Sequence, residues 1–324
     1  MFLVIGASGY FGSYFLKNIL ENSDQKIIAT YNNSQNLIYQ DNPRVKWINF
    51  DIANPNKFDE FINNNLPASF FDIHNKDSNQ SYHTSLSKKN EGYNSSQDSK
   101  YKVIFLSSFH HPEEVEKNRE KAFYINVHCL DEFLLKAKNK IESLYYSSSD
   151  SVYGESFNNK IFVESDILNP ANTYGRTKAL AEQVVLMHGF SVIRYSLLMG
   201  QSLIEKKHFY DKITQTIKKK EFIEMYSDSY RSVISFDKAS HYTIQLILKH
   251  YHAKDIINIA GDDNLSKYEI ALGIAKKNNL DTDYIKSTLI SNNQNFGTNR
   301  AKNTLISNSK LKKILNLKNI SYEF

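Results

Sequence analysis

Tyr174 and Lys178 stand four residues apart in "NPANTYGRTKALAEQ", at the start of a stretch whose composition favours a helix. On a helix, positions i and i+4 lie one above the other, so an ammonium at 178 can act on a phenol at 174. A charge there lowers the tyrosine pKa from its ordinary value of about 10 and readies the hydroxyl for proton transfer. Of the 21 tyrosines, Tyr174 alone has a lysine four positions on. Ser149 lies 25 residues earlier, in "YYSSSDSVYGES". That separation lets the chain leave a strand, cross one loop and bring its next helix back to the same cleft. There Ser149 would hydrogen-bond a substrate carbonyl or hydroxyl oxygen.

A second set of residues could hold a phosphate. In "GASGYFG", Gly6, Gly9 and Gly12 follow the apolar run "FLVI" and open a helical pattern. Glycines so placed permit a tight turn, close backbone approach to a pyrophosphate and packing of helix on strand, while the helix start supplies N–H donors. Ser8, Tyr10 and Phe11 belong to the same turn, and Ser107 ends the later run "KVIFLSS"; all are expected to face a dinucleotide. The second strand ends "IIATYNNSQN", with no acid where NAD-selective folds place one. Tyr31 and Asn32 could donate to a 2′-phosphate instead, so the expectation leans to NADP(H) over NAD(H). Asp51 in "NFDIA", with Ile52 beside it, is placed to meet the adenine edge; its competing role is to cap the next helix.

These residues need a particular frame. Apolar runs alternate with helical patterns: "FLVIG", "KIIATY", "VKWINF", "KVIFLSS", "SLYYSSS" and "SVIRYS", with helices between, including one long pattern from Glu113 to Lys138. The pattern predicts an α/β fold, a doubly wound parallel sheet of the Rossmann kind over residues 1–199. Shorter elements from 200 to 324 predict a smaller substrate-binding lobe, with some C-terminal segments returning to the first domain. Residues 66–100 are rich in Ser, Asn, Lys and Asp and read as a surface insertion rather than a functional flap.

The chain has 324 residues and a net charge of +5, from lysines spread along its length. No basic block suits nucleic acid, and no apolar run has the roughly 18 residues of a membrane span. The start, "MFLVIGASG", leaves no room for a signal peptide. Cys129, the single cysteine, excludes intrachain disulfides and cysteine zinc clusters, so a cytoplasmic setting is expected. His110 and His111 lack partners at helical spacing and read as loop residues at the cofactor cleft rather than metal ligands.

Together, "GASGYFG", "SSSDSVYG" and "YGRTKALAE" resemble the extended short-chain dehydrogenase/reductase superfamily. "YGRTKALAEQVVLMHGFSVIRYSLLMG" and "NRAKNTLISNSKL" are most similar to the dTDP-4-dehydrorhamnose reductase family. That resemblance implies an NAD(P)-dependent oxidoreductase of a nucleotide-activated 4-keto sugar, with Ser149, Tyr174 and Lys178 as catalytic triad. It also implies that Lys178 holds the nicotinamide ribose and that Asn126 supports the active-site helix. Asp150, Arg231 and Arg300 join Ser149 as expected substrate contacts, the arginines toward nucleotide phosphates. A homodimer is among the assemblies the family allows. The family's Arg-x-Pro-Thr stretch reads "RSVI" at 231–234, and the only tryptophan, Trp47, lies in an early strand, which leaves the sugar undefined. A sugar-nucleotide 4-epimerase shares the triad, and a non-catalytic regulatory protein shares the fold. A 4,6-dehydratase needs an Asp–Glu pair, whereas Asp150 is followed by Ser151.

Overall fold

A computed structural model describes residues 1–34, 37–66, 100–249, 254–292 and 299–324. The insertion expected over 66–100 lies outside the described residues except for its two ends. In chain order the strands are β1 (Phe2–Ile5), β2 (Ile27–Tyr31), β3 (Val45–Asn49), β4 (Tyr101–Phe105), β5 (Ile141–Ser149), β6 (Ile161–Phe162) and β7 (Ser191–Tyr195). They continue with β8 (Leu197–Met199), β9 (Ile223–Tyr226), β10 (Tyr230–Ser235), β11 (Ile256–Ile259), β12 (Asn264–Ser266), β13 (Ile285–Thr288) and β14 (Leu305–Ile306).

Seven of them form one parallel sheet in the order β11-β7-β5-β4-β1-β2-β3. Its strands are apolar on both faces because helices cover both. Along β1, Leu3 and Ile5 face a cluster containing Val103, Phe105 and Phe133. The alternate residues Phe2 and Val4 face another with Phe15, Ile19, Ile247 and Ile257, as the two-residue period of a strand requires. Strand order reverses between β1 and β4, the switch point where ligands of such sheets bind.

The segments after residue 200 are shared. β11 pairs with β7 and completes the large sheet. A third cluster, around Met199, Ile213, Met225, Val233 and Ile274, supports the short sheets β12-β10-β8 and β13-β9.

The helical pattern expected from Glu113 to Lys138 is interrupted. It forms Pro112–Lys117 and Arg119–Phe123, then a π-helical turn over Tyr124–His128, then Cys129–Ala137. Asn118, at φ −126° and ψ 55°, breaks the first join. The wide turn turns Asn126 inward, a use often made of π-bulges at functional sites.

Candidate active site

The glycine turn begins where β1 ends. Gly6 adopts φ +85°, a conformation that favours glycine, and its N–H donates to Thr30 Oγ1 at 2.9 Å. Gly9 caps the helix Tyr10–Asn22. A Cβ at Gly12 would lie 2.5 Å from the carbonyl oxygens of Gly6 and Ala7, whereas one at Gly9 would meet only Gly6 O at 3.4 Å. Gly12 is therefore needed by the fold, and Gly9 keeps a space open. That space belongs to a cavity of about 610 Å³ lined by the whole turn, Gly6 and Ser8 to Gly12. Ser107 does not line this cavity, whereas its neighbours Leu106 and Ser108 do; its backbone nitrogen packs on the turn, 3.1 Å from where a Cβ at Gly6 would lie.

The opposite wall of the same cavity carries Ser149, Asp150, Tyr174 and Lys178. β5 delivers Ser149 at its carboxyl end; its hydroxyl accepts from Ser151 N–H at 3.2 Å and donates to Asp150 Oδ1 at 3.0 Å. Tyr174 sits in the first turn of the helix Thr173–Met187, whose N-cap Asn172 accepts from Gly175 N–H at 3.0 Å. Gly175 decides how near this helix comes, since a Cβ there would be 2.6 Å from Ser151 O. Sequence reasoning missed it, although a glycine directly after Tyr174 was a readable signal.

Asn126 bridges the cleft and this helix. Its side chain pairs with both the N–H and C=O of Phe109, at 2.7 and 2.9 Å, and donates to Thr177 Oγ1 at 3.1 Å. His110 and His111 stack with centroids 4.4 Å apart and line the cavity. Among the described residues no group of three or more His, Cys, Asp or Glu could hold a metal ion.

The electrostatics of the pair differ from the sequence expectation. Burial raises the Tyr174 pKa, the Asp150 carboxylate raises it further, and the Ser149 hydrogen bond opposes both. The expected lowering by Lys178 is absent because the ammonium points elsewhere. It donates to Ser147 O at 2.7 Å and Tyr146 Oη at 3.2 Å. Burial pulls the Lys178 pKa down to about 7, with Glu182 opposing. Tyr174 therefore rests as a neutral phenol, a form that can give a proton.

Behind Lys178, one helical turn on, lies a charge pair that sequence reasoning also missed. Glu182 accepts from Arg194 Nε at 2.9 Å and a terminal nitrogen at 2.7 Å, and from Ser148 Oγ at 2.5 Å. Both charged side chains are buried. The spacing Tyr174, Lys178, Glu182 on one helix face was the available signal.

Other expected contacts fall away from this cavity. Asn32 and Asp51 line a second, smaller one of about 330 Å³. The Asp51 carboxylate accepts from Ala53 N–H at 2.9 Å, closing a turn ahead of the helix rather than capping it. Ile52 is buried in the core, and the Tyr31 ring stands edge-on to Trp47 with centroids 6.3 Å apart. Arg231 is occupied by backbone, its two terminal nitrogens donating to the carbonyls of Tyr230, Ala301 and Lys302 at 2.7 Å. Arg300 pairs with Glu113. Neither arginine lines the main cavity; both brace the segment that follows residue 299. Lys267 lies near them, its pKa lowered to about 8 by burial and then by the charges of Arg231 and Arg300.

The family model described as RmlD substrate binding domain matches residues 1–323. The chain belongs to that family. Solved structures share the fold. A hypothetical dTDP-4-dehydrorhamnose reductase from Sulfolobus tokodaii superposes with TM-score 0.73 and 22% identity over 100% of this chain and 97% of that one. The dTDP-4-dehydrorhamnose reductase of Yersinia enterocolitica gives 0.73 and 20% over 99% and 94%. DesIV, a dTDP-glucose 4,6-dehydratase from Streptomyces venezuelae with NAD and TYD bound, gives 0.74 and 15% over 98% and 91%. Among curated proteins, methionine adenosyltransferase 2 subunit beta is similar. The Bos taurus protein is 24% identical over 212 residues, covering 57% of this chain and 56% of its own length. The Danio rerio protein is 31% identical over 101 residues, 31% of this chain and 30% of its own. The chain thus spans about half the length, or less, of the curated relatives it matches. No helix among the described residues is long and apolar enough to cross a membrane.

Proposed function

We propose that this RmlD-family protein is an NAD(P)H-dependent reductase of a nucleotide-activated 4-keto sugar. The observation that carries the reading is the convergence of Ser149, Tyr174 and Lys178 on the wall of a cavity whose other wall is the glycine turn. The turn fits a dinucleotide because Gly9 leaves its side-chain space to the cavity. Reduced nicotinamide, when bound, supplies a hydride to the keto carbon. Ser149 donates a hydrogen bond to the keto oxygen, and Tyr174, held neutral by burial, gives that oxygen its phenolic proton. Lys178, whose amine donates to Ser147 O and Tyr146 Oη rather than to the phenol, is assigned the nicotinamide ribose. NADP(H) is favoured because β2 ends at Tyr31 and is followed by Asn32, with no carboxylate at that turn to repel a 2′-phosphate. Residues 1–199 are assigned the cofactor, and 200–324 most of the substrate.

A second reading is a non-catalytic subunit of another enzyme. It is favoured by the curated relatives, each named as a subunit of methionine adenosyltransferase 2.

The test is consumption of NADPH or NADH against a panel of nucleotide 4-keto-6-deoxy sugars. Stoichiometric consumption is expected, and Tyr174→Phe should bind cofactor normally while losing turnover by about 10²- to 10⁴-fold, the range of general acid catalysis. Interconversion without net consumption would select the epimerase alternative. Cofactor binding without turnover, joined to stable association with a methionine adenosyltransferase, would select the subunit.

A further inference from the structure

A segment that the sequence assigned no role shares the cavity with the glycine turn. Residues 201–208 leave β8 and run to the helix Phe209–Lys218, and on the way Ile204, Lys206 and His208 line the cavity beside Gly9 and Tyr10. The segment is fixed at both ends by tyrosines of the first helix. Tyr14 Oη donates to Gln201 O at 2.6 Å, and Tyr10 Oη to Lys207 O at 2.7 Å.

The strap is also shaped from within. Ser202 Oγ bonds the carbonyls of Ile204 and Lys206, at 3.0 and 2.7 Å, and the Asp211 carboxylate accepts from Ser202 N–H and His208 N–H. That carboxylate is thereby occupied. Lys206 Nζ lies over the Tyr10 ring, 5.7 Å from its centroid, and its charge is felt by His110 on the facing loop. The His208 ring meets Tyr10 edge-on at 5.0 Å and Phe236 at 4.9 Å. A cation thus stands beside the N-terminus of the first helix, whose N–H groups and dipole favour the same charge sign in a ligand.

We propose that the 201–208 strap is a second half of the cofactor site, in which Lys206 binds the diphosphate bridge of the dinucleotide from the side opposite the glycine turn. The proposal rests on the dinucleotide reading above. An exposed lysine is a compact point charge well suited to a phosphate that is already cradled by backbone N–H groups. Once the bridge lies between turn and strap, the Tyr10 and Tyr14 contacts hold the strap down over it.

Calorimetric titration of the whole chain with NADPH, ADP-ribose and adenosine tests this. Lys206→Met keeps the stem over Tyr10 and removes the charge, whereas Lys206→Arg keeps the charge. The expected result is a Kd for NADPH and ADP-ribose raised about tenfold in Lys206→Met, as for loss of one charged hydrogen bond. Lys206→Arg should stay near wild type, adenosine should bind all three proteins alike, and the salt dependence of ADP-ribose binding should flatten in Lys206→Met. Unchanged ADP-ribose affinity in Lys206→Met would overturn the proposal while leaving the dinucleotide site intact. Equal weakening of adenosine would overturn the diphosphate assignment in favour of a packing role. If the wild-type protein binds neither NADPH nor ADP-ribose, the dinucleotide reading falls and the strap's role with it.

Discussion

Lys178 keeps a titratable amine almost fully buried, and burial lowers its pKa to about 7 from the 10.5 of the open chain. The consequence for stability follows from proton counting. Below pH 7 both states hold the proton and the cost of the buried charge is carried in full. Between about 7 and 10.5 the unfolded chain binds the extra proton, so stability rises with pH through that window. Lys178→Met removes the term, so the variant should gain on wild type as pH is lowered from 10 toward 7, by on the order of a few kcal/mol. Denaturant melts of the two cofactor-free proteins across that range measure the difference; a difference that does not change with pH would show that Lys178 is not desolvated. That Tyr174, Lys178 and Ser149 meet at one cavity was readable in the sequence from their spacing. Their charge states were not. Those depend on Tyr146, Ser147 and Glu182, which reach Lys178 only through the contact of the Tyr174 helix with β5 and the register within that helix.

The turn and the first helix separate two jobs that the three glycines share in the sequence. Gly12→Ala drives a Cβ to 2.5 Å from two backbone carbonyls and should cost about 1–3 kcal/mol, as overpacking of a tight contact does. Gly9→Val meets little of the protein itself, so it should fold with an unchanged melting temperature and lose dinucleotide binding. Thermal melts beside cofactor titrations resolve the two, and a destabilised Gly9→Val would place that position in the core. The large sheet's strands were legible at this scale because buried parallel strands read as continuous apolar runs. The break at Asn118 and the π-helical turn were not, since residues 113–138 carry no proline or glycine to mark them. Asp51 closes a turn on the Ala53 N–H and also lines the second cavity, two roles that one sequence carries alike.

At the scale of the molecule, the last residues tie the sheet to the second lobe. Ile320 is fully buried among the residues of the large sheet's core, and Tyr322 packs into the third cluster. Ile320 O accepts from Asp262 N–H and Ile320 N–H donates to the Asp262 carboxylate, while Phe324 covers Gly273 so closely that a Cβ there would be 2.2 Å from the ring. Removing residues 320–324 should therefore destabilise by roughly 3–5 kcal/mol, the cost of emptying buried apolar sites, and calorimetric melting would register it; a loss below about 1 kcal/mol would mean that the two parts stand without the tail. The change to shorter elements near residue 200 was visible in the sequence, but the crossing segments were not. Nothing local in "DIINIAG" says which sheet it will join. β11 joins β7, and this has a bearing on synthesis. As the chain emerges from a ribosome, β7 is made well before its neighbour, and until Ile256–Ile259 follows, its backbone donors and acceptors form an unpaired parallel edge. Such an edge recruits foreign strands. A fragment stopped at residue 199 would keep that edge permanently, so it would be an aggregating intermediate rather than a self-sufficient module, and expression of this protein should be attempted only through the late strand.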